Sequence, residues 1–291
     1  MESPHYFHCC TNGLKRDCLF LSDSEFVSGM NRIGLCLLAC RKEGRKVFVI
    51  AFCLLNNHVH FILHGTEEDC REFMEKYKRL TIIWIGNHRE ECFNENVEIG
   101  LWKISNGEKL RKKIIYVLRN ALEAGVPVTP QGYRWCSAPL MFTDFAPSTF
   151  KKASEISGRK LKQMFNTNME IPSDWLVSDG GLIWPGSYTK VSTASKQFKG
   201  PKDFMYMLNQ SAVDREECLE EIEDLISVPD DDVKVRAREI ALKLFNKEYI
   251  SKCTVEERIM IAKILKDEFK SNYKQLARIV RMDPEYLKKL V

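Results

Sequence analysis

Residues 47–64 read VFVIAFCLLNNHVHFILH, two apolar runs separated by Asn56 and Asn57. Each run has strand length and is rich in β-branched and aromatic residues, and asparagine tolerates the positive φ that tight turns require. The stretch therefore predicts a β-hairpin. Its second arm carries His58 and His60, and side chains two apart on a strand share a face while Val59 takes the other. With apolar flanks on both sides, the two imidazoles are expected to be half-buried and in need of partners. Neutral imidazole is the commonest side-chain ligand of transition metals, so the pair reads as a two-toothed metal site. His64 lies on the same face but near the strand end, and His88 sits in a loop-like stretch; both read as bystanders.

Working outward, SEFVSGMNRIGLCLLACRKEG (residues 24–44) has helical spacing and ends in a glycine, and HYFHCC (5–10) before it supplies a first strand. His5, His8, Cys9 and Cys10 resemble half of a zinc site. No second Cys/His pair at zinc-finger spacing follows, so the thiols read as core. After the hairpin, EEDCREFMEKYKRLTIIWIGNH (67–88) predicts a second helix. Strand, helix, strand, strand, helix opens the ferredoxin-like split βαβ arrangement, an α+β fold with an antiparallel sheet.

A third helix is predicted over EKLRKKIIYVLRNALEA (108–124), with Gly125 and Pro127 as stop signals. At 100° per residue Lys109, Lys112, Lys113, Arg119 and Asn120 fall within about 60° of Tyr116, opposite an apolar side formed by Leu110, Ile114, Val117, Leu118 and Ala121. Tyr116 thus belongs to the polar stripe, and Asn120 follows one turn later, within reach of whatever the phenol addresses. From Lys103 to Arg119 six basic residues face only Glu108, a local charge of +5 in a chain whose net charge is only +4. That concentration points to an anionic partner more than the total does.

The 291 residues, 44% hydrophobic and 29% charged, exclude a mainly disordered chain. No apolar run approaches the ~18 residues of a membrane span, and the N-terminus lacks a signal-peptide layout, so a cytoplasmic protein without membrane partners is expected. Eleven scattered cysteines without repeated CxxC pairs fit free thiols in a reducing compartment. The chain divides into a catalytic region over 1–145, an irregular linking region over 146–212, rich in Gly, Ser, Thr and Pro, and a helical region over 213–291. The last ends in NYKQLARIVRMDPEYLKKLV, where Asp283 and Pro284 read as N-cap and first-turn proline of a final short helix. The spacing suggests a helix-turn-helix.

Taken together, Asn57-His58-Val59-His60 on a strand, Tyr116, Asn120 and Gly125 around a helix, and the YRW of 133–135 resemble the HUH-class single-tyrosine transposases, in particular the REP-associated tyrosine transposases. The resemblance covers roughly residues 5–145. The departure is Ala121, where the family usually has proline. The resemblance implies cutting and rejoining of single-stranded DNA, with Tyr116 as nucleophile forming a 5′-phosphotyrosine. It further implies that His58, His60 and Asn120 hold Mg²⁺ or Mn²⁺. Lys109, Lys112, Lys113 and Arg119 would then grip single-stranded or hairpin DNA beside the nucleophile. Lys274, Arg278, Arg281, Lys288 and Lys289 would let the C-terminal helices contact duplex DNA. Family members act as monomers or homodimers. Two other readings stand beside this one: a DNA-binding protein that keeps the fold without cutting, consistent with Ala121, and a zinc-stabilised structural protein that uses the thiols.

Overall fold

The structure is a computed structural model. It describes residues 3–12, 14, 18–89, 96–105, 107–123, 129–143, 146–209, 230–269, 273–283, 286–287 and 290. The chain falls into two compact units, Met1–Cys218 and Leu219–Val291.

The first unit is built on β1 (His5–Thr11), α1 (Asp23–Lys42), β2 (Phe48–Leu54), β3 (Val59–Gly65), α2 (Glu67–His88), β4 (Ile99–Ile104) and α3 (Gly107–Glu123). The strands form one sheet in the order β2-β3-β1-β4, with every pairing antiparallel. The chain is α+β, and its strand-helix-strand-strand-helix-strand order is the split βαβ.

The helices begin where their caps are. Ser22 accepts from the Glu25 amide and Thr66 from the Asp69 amide, each satisfying a donor left free by the first turn. Gly44, at φ 79°, closes α1: its N–H donates to the Arg41 carbonyl while that of Arg45 reaches Cys40.

Phe61 of β3 meets Phe73 and Tyr77 of α2 at ring distances of 5.6 and 5.3 Å, whereas its neighbour His60 meets α3 through Tyr116. Successive strand residues point to opposite faces, so α2 and α3 cover opposite sides of the sheet. This double cover explains why β2 and β3 read as nearly unbroken apolar runs.

The hairpin forms as expected, but its turn works differently. Asn56 and Asn57 do not take positive φ. They hold the segment ahead of α1 instead: the Phe20 amide donates to the Asn56 carbonyl, the Leu14 amide to the Asn57 carbonyl, and Asn57 Nδ2 to the Leu14 carbonyl.

The stretch 146–212, expected to be irregular linking structure, is through Asn209 a packed part of the first unit. β5 (Phe150–Lys152) pairs with β6 (Leu176–Ser178), and α4 (Gly158–Phe165), α5 (Val191–Ser195) and α6 (Pro201–Asn209) surround them. Trp175, Val177, Ile183, Tyr188, Phe198 and Phe204 join the same apolar core as the main sheet. A Cβ on Gly34 of α1 would come within 2.9 Å of Trp175 and 3.0 Å of Tyr188, so glycine is what allows this close approach. Asn31, also on α1, donates to the Gly181 carbonyl at 2.7 Å and accepts from the Ile183 amide at 2.8 Å. The free edge of β2 is covered too: the Leu54 amide donates to the Trp135 carbonyl and that of Ser137 to Phe52.

In the second unit α7 (Asp230–Phe245), α8 (Val255–Phe269) and α9 (Tyr273–Val280) bury Val233, Ala237, Ile240, Ile261, Leu265, Leu276 and Val280. Arg236 grips Glu268 with two bonds of 2.8 Å, tying α7 to α8. After α9 the chain turns through Arg281 at φ 56°, and Asp283 Oδ1 accepts from the Tyr286 amide, the cap expected there. Of the helical region expected over 213–291, residues 213–229 and most of the expected final short helix lie outside the described set.

Nine of the cysteines lie among the described residues, and all are free thiols, mostly buried. No helix among the described residues is long and apolar enough to cross a membrane.

Candidate active site

The strand register decides which side chains meet. In β1 and β3, Cys10 lies opposite His60 and His8 opposite Ile62; in β4, Trp102 lies opposite His8. Directly opposed residues share a face, so His8, His60 and Trp102 all look toward α3. Trp102, His8 and His60 stack in series, with centroids 5.6 and 5.3 Å apart and rings within 18° and 15° of parallel. His58 meets His60 edge to face at 4.8 Å. From α3 the Tyr116 ring presents itself perpendicular to both His60, at 5.6 Å, and His8, at 5.8 Å.

Sheet and helix thus bring together His58, His60 and Tyr116. They add His8, which sequence reasoning assigned to a buried first strand. The available signal was its two-residue offset from Tyr6 and Cys10, which places it on one definite face of β1. What the sequence could not supply is that β1 lies beside β3.

The polar stripe of α3 is not a solvent face. Lys109 is exposed and Lys112 and Arg119 are half-buried. Lys113 and Asn120, however, are each only 6% exposed. Lys113 Nζ lies 6.0 Å from the centre of the Tyr116 ring. Asn120 donates through Nδ2 to the Tyr116 carbonyl at 2.9 Å, which leaves its amide oxygen, the atom capable of ligation, for other partners. In the second unit Arg278 and Arg281 are exposed, while Lys288, Lys289 and the side chain of Lys274 lie outside the described residues. His64 packs against Tyr6 and Phe48, and His88 against Trp84, both away from the cluster.

Burial holds all three clustered imidazoles neutral. It pushes His58 down to about 4. It lowers His8 well below the usual histidine value, helped by the Lys113 charge, and lowers His60 with help from His58, His8 and Lys113. Neutral imidazole is the form that ligates.

The proton on His58 can be placed. Asn57 Nδ2 donates to the Leu14 carbonyl, so its Oδ1 is the atom 2.8 Å from His58 Nδ1. An amide oxygen only accepts, hence His58 carries its proton on Nδ1 and presents a lone pair at Nε2. His60 Nε2 is buried and has no hydrogen-bond partner among the described residues. A lone pair on His58 and an orphaned buried nitrogen on His60 are donors that suit a divalent cation, and an amide oxygen such as that of Asn120 is of a type that could add to them. Among the described residues no group of three His, Cys, Asp or Glu side chains forms a ligand cluster, so the thiols offer no zinc site there.

No family model matches the chain, and no curated protein does. Among solved structures, that of a REP-associated tyrosine transposase bound to a REP hairpin is similar over 47% of this chain and 78% of that chain, with 14% identity and a TM-score of 0.35.

Proposed function

We propose that the protein is an HUH-type, metal-dependent transesterase that nicks and rejoins single-stranded DNA, with Tyr116 as nucleophile and His58, His60 and Asn120 as ligands of Mg²⁺ or Mn²⁺. The observation that carries this reading is the meeting of Tyr116 with His60 at 5.6 Å across the sheet-helix interface, beside a His58 whose lone pair faces away from Asn57.

The Tyr116 oxygen attacks a backbone phosphorus. The bond from phosphorus to the 3′-oxygen breaks, the phenol loses its proton, and the departing oxygen gains one as a free 3′-OH. The 5′-phosphate stays on Tyr116 until a 3′-OH reverses the exchange, so rejoining needs no external energy source. A bound divalent ion supplies charge withdrawal from the phosphate. The chain itself supplies orientation: β3 fixes His60, Asn57 fixes His58 just ahead of that strand, α3 fixes the phenol, and the buried Lys113 brings a positive charge close to the phenol ring. Exposed Lys109 and half-buried Lys112 and Arg119, on the same helix as the nucleophile, are the residues assigned to hold the DNA backbone. The helix-turn-helix reading of the C-terminus, with duplex contacts by Arg278 and Arg281, belongs to this proposal as well.

Incubation with Mn²⁺ and single-stranded hairpin DNA tests the reading. The expected product is a protein-DNA adduct that survives denaturation and is absent from Tyr116→Phe. Binding without an adduct on a panel of hairpins would instead identify a protein that keeps the fold for DNA binding alone.

A further inference from the structure

His8 Nε2 lies 3.1 Å from His60 Nδ1, both rings are buried, and the far nitrogens, His8 Nδ1 and His60 Nε2, lack hydrogen-bond partners among the described residues. Trp102 lies near-parallel to the His8 ring, 18° off, with centroids 5.6 Å apart. We infer that His8 is a positioning residue: its Nε2 accepts the His60 Nδ1 proton and so holds His60 in the tautomer whose Nε2 lone pair serves the same ion as His58. This inference rests on the ligand assignment made above for His58 and His60.

Two neutral imidazoles joined by one N–H···N bond have two arrangements. If His60 donates from Nδ1, its Nε2 is a lone pair and His8 carries the unpartnered proton. If His8 donates from Nε2, His60 buries an N–H at the position where a cation belongs, and ligation is blocked. Ligation selects the first arrangement, because only it offers a lone pair at His60 Nε2, and bonds from ligating histidines to such neighbours set tautomer, orientation and basicity. Asn57 Oδ1 performs the same task for His58, so each ligand has its own orienting neighbour.

His8 differs from a carboxylate in that role because it adds no negative charge. A neutral acceptor raises the basicity of His60 less than a carboxylate would.

The test uses full-length protein with ¹⁵N-labelled histidine. Long-range ¹H–¹⁵N correlations on metal-free protein read which nitrogen of His60 is protonated, and Mn²⁺ titration followed by electron paramagnetic resonance reads affinity. Wild type is expected to show His60 protonated at Nδ1. His8→Phe, which keeps the stack on Trp102 but removes the acceptor, is expected to move the proton to Nε2 and weaken Mn²⁺ binding roughly 10–100-fold. His8→Gln, which restores an acceptor, is expected to recover most of that loss, and thermal melts identify any variant that fails to fold. Protonation of wild-type His60 at Nε2, or equal Mn²⁺ affinity in wild type and folded His8→Phe, overturns the role of His8. Equal Mn²⁺ affinity in wild type and His58→Ala overturns the ligand assignment itself, and the inference with it.

Discussion

Lys113 Nζ lies 6.0 Å from the centre of the Tyr116 ring, one helical turn before it, in a position only 6% exposed. A lysine that merely grips a passing DNA backbone has no reason to be buried. Its place beside the phenol and two imidazoles fits a charge that stabilises the reacting phosphate in a site shielded from water, where such charges act strongly. Lys113→Met is expected to cut adduct formation by 10²-fold or more, on the order of what loss of one preorganised donor costs, while hairpin binding changes little. Lys109→Met, at an exposed position, is expected to weaken binding and reduce its salt dependence while leaving the rate at saturation intact. Rate and affinity falling together in both variants would remove the distinction.

The neutral imidazoles make acid sensitivity predictable. His58 is held near 4 in the folded protein against an ordinary value of 6.5, so the unfolded chain takes up a proton that the native state refuses. Its contribution is intact above about pH 6.5 and is lost progressively as pH falls toward 4. His8 and His60 act in the same direction. Urea denaturation at pH 7.5 and 5.0 should show a drop in stability that is smaller by about 2 kcal/mol in His58→Leu, the linkage for one imidazole over 1.5 pH units. An identical drop in both proteins contradicts this.

Asn31 uses both ends of its amide to hold the loop at Gly181 and Ile183. Asn31→Leu leaves a buried N–H and a buried carbonyl unpartnered and is expected to cost about 2–3 kcal/mol by urea denaturation. Limited proteolysis should then cut first within 146–209. Cleavage spread evenly over the first unit would argue against a local tie.

Arg281 occupies the left-handed region at φ 56°, where a side chain costs about 1 kcal/mol relative to glycine. Arg281→Gly is therefore expected to hold or slightly raise the melting temperature of the C-terminal unit. If the residue meets duplex DNA, the same variant loses affinity, so a gel-shift titration separates backbone from contact. Lower stability in the variant would mean that the arginine side chain does more for the fold than the strain costs.

The hairpin and the first three helices were legible because each carries its own signals: apolar periodicity, with Gly44 as a stop after the first helix and Gly125 and Pro127 after the third. β4 was not, because it is an edge strand with half-exposed residues, and its mixed pattern IGLWKI lacks the apolar continuity of β2 and β3. Residues 146–209 escaped notice because strands of three residues have no periodicity to read; they exist through Asn31, Gly34 and the core they join. Within the site, His58, His60 and Tyr116 were legible from spacing along one element. The burial of Lys113 and the partnership of His8 with His60 were not, since both depend on which surfaces the sheet order brings together.

The tie from Asn31 to Ile183 spans 152 positions, and it sets a timetable for synthesis. At about 5–20 residues per second, a ribosome that has incorporated Asn31 needs roughly 8–30 s before Ile183 exists to meet it. Throughout that interval the nascent chain carries an apolar helix flank with nothing to cover it. The flank of α1 around Asn31 and Gly34 should therefore become protected from proteases only in nascent chains that extend past Ile183.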